Sequence, residues 1–426
     1  MKIAGIITEY NPFHNGHLYH INQTRKLTGC DAIVCVMSGN FTQRGEPALI
    51  SKQARTKSAL LNGVDLVIEL PFVYSCQSAE FFAFGAVKLL NSLGIIDYLC
   101  FGSEYDNVSD LTTVAKILSD EPEKFKFYLK DFLKEGHSFP AARQKALEKY
   151  FYNEKNKNVL HFEEILNSSN AILAVEYLKA LYKLKSNIIT YATKRIGSDY
   201  ISENIEESFS SALSIRKTIH DFNKLDVNDF SHISKILNNV MPNSSVQILF
   251  DEILSGKAPV FLNGFDNIIS TLLRRISPET IKSYPFVSEG LHNRLYNIAK
   301  KHSTFQRIVE EMQTRRYPAT RIQRLLIHII TNLTKNQFSN IHNNNGPQYI
   351  RILGFNKKGK ALLSDIKKNS TLPIVSSPLE IKNINNPVAD KIFEYENISS
   401  NIYSLLFPNE TLRISGYEYL NQIVKT

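Results

Sequence analysis

Residues 9–20 read Glu9-Tyr10-Asn11-Pro12-Phe13-His14-Asn15-Gly16-His17-Leu18-Tyr19-His20. Two imidazoles three positions apart, His14 and His17, flank a glycine. If a helix begins at Gly16–His17, both rings converge on its N-terminus, where unsatisfied N–H groups and the positive end of the dipole favour an anion. Gly16 lets a nucleotide approach the backbone. Imidazole donates hydrogen bonds to phosphate oxygens and, when protonated, offsets charge building on a leaving pyrophosphate. Such chemistry is nucleotidyl transfer by positioning and electrostatics, with no covalent step. Three plainer readings compete. His14, His17 and His20 form an HxxHxxH series that could hold a metal, although three-residue spacing drifts around a helix. The histidines could be helix caps or surface residues, or the turn could be structural. Its place after a first strand, behind Asn11-Pro12-Phe13, favours the nucleotide over the last two.

The surrounding pattern supplies that strand. Ile3 to Thr8, Ala32 to Met37, Val64 to Leu70 and Asp97 to Phe101 read as strands, separated by helical patterns at Leu18–Leu27, Lys52–Leu61 and Ala79–Leu93. Strands apolar on both faces and alternating with helices predict a parallel sheet covered on both sides. Ligands bind such sheets at the carboxyl ends of the strands. Chemistry is therefore expected in residues 9–17, 38–46 and 102–104. Residues 109–185 read as helical, Asn187 to Thr193 as one more strand, and Ser211 to Phe222 as a helix. From about residue 225 the pattern is helical: Val227–Leu237, Ser245–Leu254, Asp266–Arg275, Gly290–Lys300, Thr304–Thr314 and Arg321–Leu333. A mixed tail holds Tyr349–Leu353 and a turn at Asn356-Lys357-Lys358-Gly359.

The 426 residues carry a formal charge of +9. The excess is local. From Arg274 to Lys368 there are 18 Lys/Arg against 5 Asp/Glu, so the rest of the chain is slightly acidic. Arg315, Arg316, Arg321 and Arg324 surround Tyr317 at a helix start, a composition suited to phosphate contacts and base stacking. A solvated helical face is the alternative. Cys30, Cys35, Cys76 and Cys100 lie in apolar stretches with no CxxC pair, which predicts buried free thiols. The apolar run at Met1–Ile7 is short for a signal peptide and no later run is long enough to span a bilayer, so the cytoplasm is the expected location and no membrane partner is expected.

The strand followed by Asn-Pro-Phe-His-Asn-Gly-His resembles the HxGH signature of class I nucleotidyltransferases. These enzymes attack the α-phosphate of a nucleotide and release pyrophosphate. Their second signature is typically Ile-Ser-Ser-Thr-x-x-Arg. Ser210-Ser211-Ala212-Leu213-Ser214-Ile215-Arg216 is similar to it, with Leu213 in place of the threonine. The resemblance implies that Arg216 meets the β- and γ-phosphates and Ser214 supplies a hydroxyl. Met37–Ala48, Val64–Pro71, Phe101–Glu104 and Lys194–Tyr200 are similar to segments distinctive of the bacterial tRNA(Met) cytidine acetate ligase family. With residues 5–20 they cover most of the first 220 residues. Tyr349–Gly354 and Lys357-Lys358-Gly359 extend the likeness thinly into the second half.

That resemblance implies an α/β fold: an N-terminal parallel-sheet, Rossmann-like nucleotidyltransferase domain over 1–222 and a mainly helical, basic, tRNA-binding region over 223–426. It implies that ATP and acetate form acetyl-adenylate, and that the acetyl group passes to N4 of the wobble cytidine of elongator tRNA(Met), with Mg²⁺ accompanying the ATP. The ATP site would comprise Ile7, Thr8 and Glu9 through His20, with Gly102, Asn170, Arg195, Ser214 and Arg216. His14 and His17 would be catalytic, joined by Arg44 and Lys52 where substrate or phosphate approaches. Arg274, Arg275, Arg315, Arg316, Arg321, Arg324, Lys357 and Lys358 are the candidate tRNA contacts. A small-molecule adenylyltransferase of the same superfamily would explain the histidines but not the basic region. A non-catalytic RNA-binding protein would explain the charge and predicts no ATP turnover.

Overall fold

The structure is a computed structural model and describes residues 1–137, 139–153, 162–195, 210–224 and 230–426. Eight strands form the sheet: β1 (Ile3–Thr8), β2 (Ala32–Ser38), β3 (Leu66–Leu70), β4 (Tyr98–Ser103), β5 (Ile189–Lys194), β6 (Ile350–Phe355), β7 (Ile374–Val375) and β8 (Val424–Lys425). Their order is β5-β4-β1-β2-β3-β6-β7, with β8 beside β6. β1 to β5 run parallel. Every residue of β2 and β3 is buried, as expected of strands covered on both faces. Ala79–Ser92 and Ser169–Lys183 pack on one face. Asn15–Thr28 covers the other, over Ile33, Cys35 and Val67. All four cysteines are buried and free.

The division at residue 222 does not coincide with the sheet. β6 pairs antiparallel with β3, Leu66 opposite Phe355 and Ile68 opposite Ile352, so the second half completes the first half's sheet. Asn356–Gly359, read as a turn, is the cap and first turn of a helix over Lys357–Asn369, with Asn356 accepting from Gly359 N at 2.9 Å. The tail also holds a long helix, Pro387–Ser404, whose buried face packs on the N-terminal half.

A buried ionic cluster joins the halves. Lys52 Nζ donates to Glu396 Oε1 at 3.0 Å, to Glu418 Oε1 at 2.6 Å and to Glu69. Arg351 of β6 pairs with Glu69 Oε2 at 3.1 Å and with Glu418. Glu396 Oε2 accepts from Phe72 N at 2.7 Å. Two cations face three carboxylates with almost no solvent. Burial, with Glu69 alongside, pushes Glu396 up to about 8. Arg351 and Lys52 overcome burial at Glu418 and hold it down at about 2.

Candidate active site

β1 delivers Glu9–Phe13 to the carboxyl edge of the sheet, where Tyr10 takes a left-handed φ of 47°. Tyr10 and Phe13 turn into the core with ring centroids 4.7 Å apart. Their burial anchors the loop, and the helix starts at Asn15. His14 is its N-cap. Nδ1 of His14 accepts from Gly16 N at 3.0 Å, and Nδ1 of His17 accepts from His14 N at 3.2 Å. The two side chains form a reciprocal capping box with ring centroids 3.8 Å apart. The cap reading and the nucleotide reading are thus compatible. Because each Nδ1 is an acceptor, each neutral ring carries its proton on Nε2 and offers it as a donor. A Cβ on Gly16 would lie 2.9 Å from His14 Cε1, so the glycine makes room for the folded-back ring.

The rings are neutral. Burial, helped by Arg195 and Arg216, lowers His14 to about 3. Burial and the His14 ring hold His17 well below its ordinary range, and burial with Arg195 lowers His20 to about 4. The expected imidazolium is therefore replaced by a neutral donor, because a proton on Nδ1 would break the cap. Positive charge comes from arginines instead. Arg216, one turn into the helix Ala212–Lys224, donates to Asn11 O and to Glu46 Oε2, both at 2.9 Å. Arg195 follows β5 at the cavity edge, its N–H donating to Ser103 O at 3.1 Å.

One cavity collects these groups. It is lined by Ile7–Asn11, His14, Gly16, His17, Tyr19, His20, Arg44, Gly102, Asn170, Arg195 and Arg216, all anticipated from the sequence. A Cβ at Gly102 would make only ordinary contacts, 3.5 Å to Arg195 Cγ and 3.7 Å to Thr193 Oγ1, so it would project toward open space. Asn170 Nδ2 donates to Glu104 Oε1 at 2.6 Å, at the start of Ser169–Lys183, leaving Oδ1 as its acceptor. Ile196–Tyr200, the rest of the Arg195 segment, lies outside the described residues.

Several expected site residues lie elsewhere. Lys52 is sealed in the ionic cluster and does not reach the cavity. Arg55 beside it is equally buried, donating to Glu9 O at 2.7 Å, to Ser38 O at 3.0 Å and to Gly39 O, so it satisfies strand-end carbonyls. Ser214 is fully buried and donates to Ser211 O at 2.8 Å, a local helix contact. Phe13 and Leu18 belong to the core, Pro12 does not line the cavity, and Asn15 Nδ2 donates to Asn239 O at 3.0 Å. Sequence reasoning missed Phe82, Phe101, Leu173, Tyr177 and Thr193; Lys194, Ser210, Ser211 and Ala212 were read only as parts of motifs, and Thr42, Gln43 and Glu46 only as parts of the segment after β2. The apolar members sit on helix and strand faces that read as ordinary core. Glu46 and Gln43 were within reach, since both fall in the 38–46 segment after β2.

The basic candidates divide. Arg274, Arg275, Arg315 and Arg316 are exposed, the last paired with Glu289. Arg321 donates to Phe286 O at 2.7 and 3.0 Å and lies over Tyr317, which is itself buried. Arg324, 9% exposed, donates to Gln43 O at 3.1 Å. Tyr317 and Arg324 are therefore internal supports rather than stacking or phosphate groups, whereas Arg321 is half-buried. Gly45, with φ 79°, packs against the Arg324 backbone, where a Cβ would come within 2.5 Å. Lys357 and Lys358 are exposed at the opposite, N-terminal edge of the sheet, Lys358 donating to Asp31 O at 3.3 Å, and do not converge on the cavity.

The chain matches the HIGH Nucleotidyl Transferase family over residues 1–417. It is 46% identical over 424 residues to the tRNA(Met) cytidine acetate ligase of Acetivibrio thermocellus, and 42% identical over 431 residues to that of Halothermothrix orenii; each alignment covers all of both chains. Among solved structures, Thermotoga maritima TmcAL bound with alpha-thio ATP superposes with a TM-score of 0.92 at 35% identity, over 100% of this chain and 99% of that one. The strand-end histidines, the arginines around them and this end-to-end likeness place the chain in the tRNA(Met) cytidine acetate ligase family, within the HIGH nucleotidyl transferases.

Proposed function

We propose that this protein is an ATP-dependent acetate ligase that forms acetyl-adenylate and acetylates N4 of the wobble cytidine of elongator tRNA(Met), working in the cytoplasm. One observation carries the reading most of all: a cavity at the carboxyl ends of β1 and β4 joins the His14–His17 cap to Arg195 and Arg216, in a chain similar throughout its length to named acetate ligases.

In the first step an acetate oxygen attacks the α-phosphorus and the bond to pyrophosphate breaks. The Nε2–H groups of His14 and His17 and the first-turn N–H groups donate to phosphate oxygens, in a site that needs little reorganisation. Arg216, held between Asn11 O and Glu46, receives the β- and γ-phosphates. Asn170 Oδ1 and the space over Gly102 suit an adenosine edge. In the second step the cytidine amine attacks the acetyl carbon and AMP leaves. Among the described residues no group of three His, Cys, Asp or Glu side chains is placed to hold a metal ion, so Mg²⁺ would arrive with the nucleotide on its phosphate oxygens, where it would neutralise charge. Arg315, Arg316, Arg274 and Arg275 are the groups proposed to contact tRNA. No helix among the described residues is long and apolar enough to cross a membrane.

The test incubates the protein with ATP, labelled acetate and bulk tRNA, followed by nucleoside digestion. Label in N4-acetylcytidine supports the reading. AMP transfer to a phosphate-bearing metabolite, or tRNA binding without AMP release, would refute it.

A further inference from the structure

The acetyl-transfer step leaves a proton to be placed. An exocyclic cytosine amine is a poor nucleophile while it keeps both protons, so a nearby group must accept one as the N–C bond forms. The cavity-lining groups that hold a lone pair for that purpose are few. Nδ1 of His14 and of His17 is occupied by a backbone N–H, and Nε2 of each carries the proton. His20 lines the cavity, but its Nε2 is buried from solvent. Glu46 is paired with Arg216. Glu9 remains.

Glu9 stands at the exit of β1 and lines the cavity. Its Oε1 accepts from Gln43 N at 2.6 Å, which fixes the carboxylate against the loop after β2. That loop is itself held, by the Phe41–Pro47 bridge and by Arg324 on Gln43 O. Oε2 takes no hydrogen bond within the described protein and is not sealed off. The apolar side chains of Phe82, Phe101, Leu173 and Tyr177 line the same cavity. An ionised carboxylate is a poor neighbour for a triphosphate but suits a neutral amine.

We propose that Glu9 is the general base of acetyl transfer, its Oε2 accepting a proton from the cytidine N4 amine; this rests on the acetate-ligase reading. The N4 lone pair forms a bond to the acetyl carbon, and the carbon–oxygen bond to the AMP phosphate breaks. One N4 proton passes to Oε2, AMP leaves as its anion, and Glu9 returns the proton to solvent. No further reactant is needed. Burial raises the Glu9 carboxyl above its ordinary value, with the Gln43 N–H and Arg44 opposing, which makes it a stronger base than a surface glutamate.

The test separates the two half-reactions in Glu9→Gln. A glutamine oxygen can still accept from Gln43 N, so the loop tie survives. Because Glu9 also lines the nucleotide cavity, the readout is the ratio of the two half-reactions: acetate-dependent ATP–pyrophosphate exchange, and trapping of acetyl-adenylate with hydroxylamine, should fall far less than transfer does. Single-turnover acetyl transfer to tRNA should fall by about a hundredfold or more. Its pH profile should lose the rising limb that wild type shows at low pH. Equal loss in both half-reactions would make Glu9 a nucleotide-site or structural residue and overturn the proposal, as would transfer at the wild-type rate. If wild type itself trapped no acetyl-adenylate, the acetate-ligase reading and the proposal would fall together.

Discussion

Replacing Lys52 with methionine separates structure from catalysis sharply. The ammonium sits at 0% exposure between Glu69, Glu396 and Glu418, with Arg351 the other cation of the cluster. Removing it leaves Glu69 and Glu418 facing one guanidinium, beside Glu396, whose carboxyl burial already pushes up to about 8. Breaking a buried ion pair from one side costs about 3–5 kcal/mol, because the remaining charges stay desolvated and unpaired. The carboxylates come from β3, from Pro387–Ser404 and from Tyr417–Leu420, so the loss loosens the tail from the sheet. Lys52→Met is therefore expected to unfold at much lower denaturant concentration than wild type. Adding Glu418→Gln should return about 1–3 kcal/mol, since the two residues are directly coupled. At a temperature where the variant remains folded, ATP–pyrophosphate exchange should be within about threefold of wild type. Wild-type stability with exchange abolished would refute this reasoning and restore Lys52 as a catalytic group.

Further outcomes follow from the site. His14→Ala and His17→Ala should each cut adenylation by about 10²–10³-fold, while tRNA affinity by filter binding stays near wild type; lost tRNA binding would contradict the division of labour. Proton NMR should show His14 and His20 neutral from pH 8 to pH 5, given values of about 3 and 4. Both folded values lie below the unfolded value near 6.5, so their contribution to stability is complete above pH 6.5 and is lost as pH falls toward 3–4; calorimetry across that window checks the sign. The double change Arg315→Ala/Arg316→Ala should weaken tRNA binding and reduce the salt slope by about 1.5–2, leaving ATP–pyrophosphate exchange unchanged.

What the sequence disclosed follows the range of the interactions involved. His14, Gly16 and His17 act within a single turn directly after the first strand, so their spacing and their place in the pattern located them, and Arg216 was legible because its motif keeps the arginine even with Leu213 in the threonine's place. Lys52 was misread because two of its partners stand 344 and 366 residues further on. Before Glu396 and Glu418 are seen, a lysine after a polar loop reads as a phosphate contact. Arg324 failed likewise: a count of positive charge does not distinguish a guanidinium in water from one buried and donating to Gln43 O. β6 was expected only as part of a mixed tail, since an added antiparallel strand has no local mark beyond its apolar run. The wall of Phe82, Leu173 and Tyr177 was illegible because cavity and core draw on the same residue types.

A crystal structure with a non-hydrolysable ATP analogue bears most directly on the whole account. The proposed function predicts phosphate oxygens about 3 Å from Nε2 of His14 and of His17, with Arg216 turned onto the outer phosphates. A nucleotide seated outside the cleft between β1 and β4, with both imidazoles still serving only the helix cap, would contradict it.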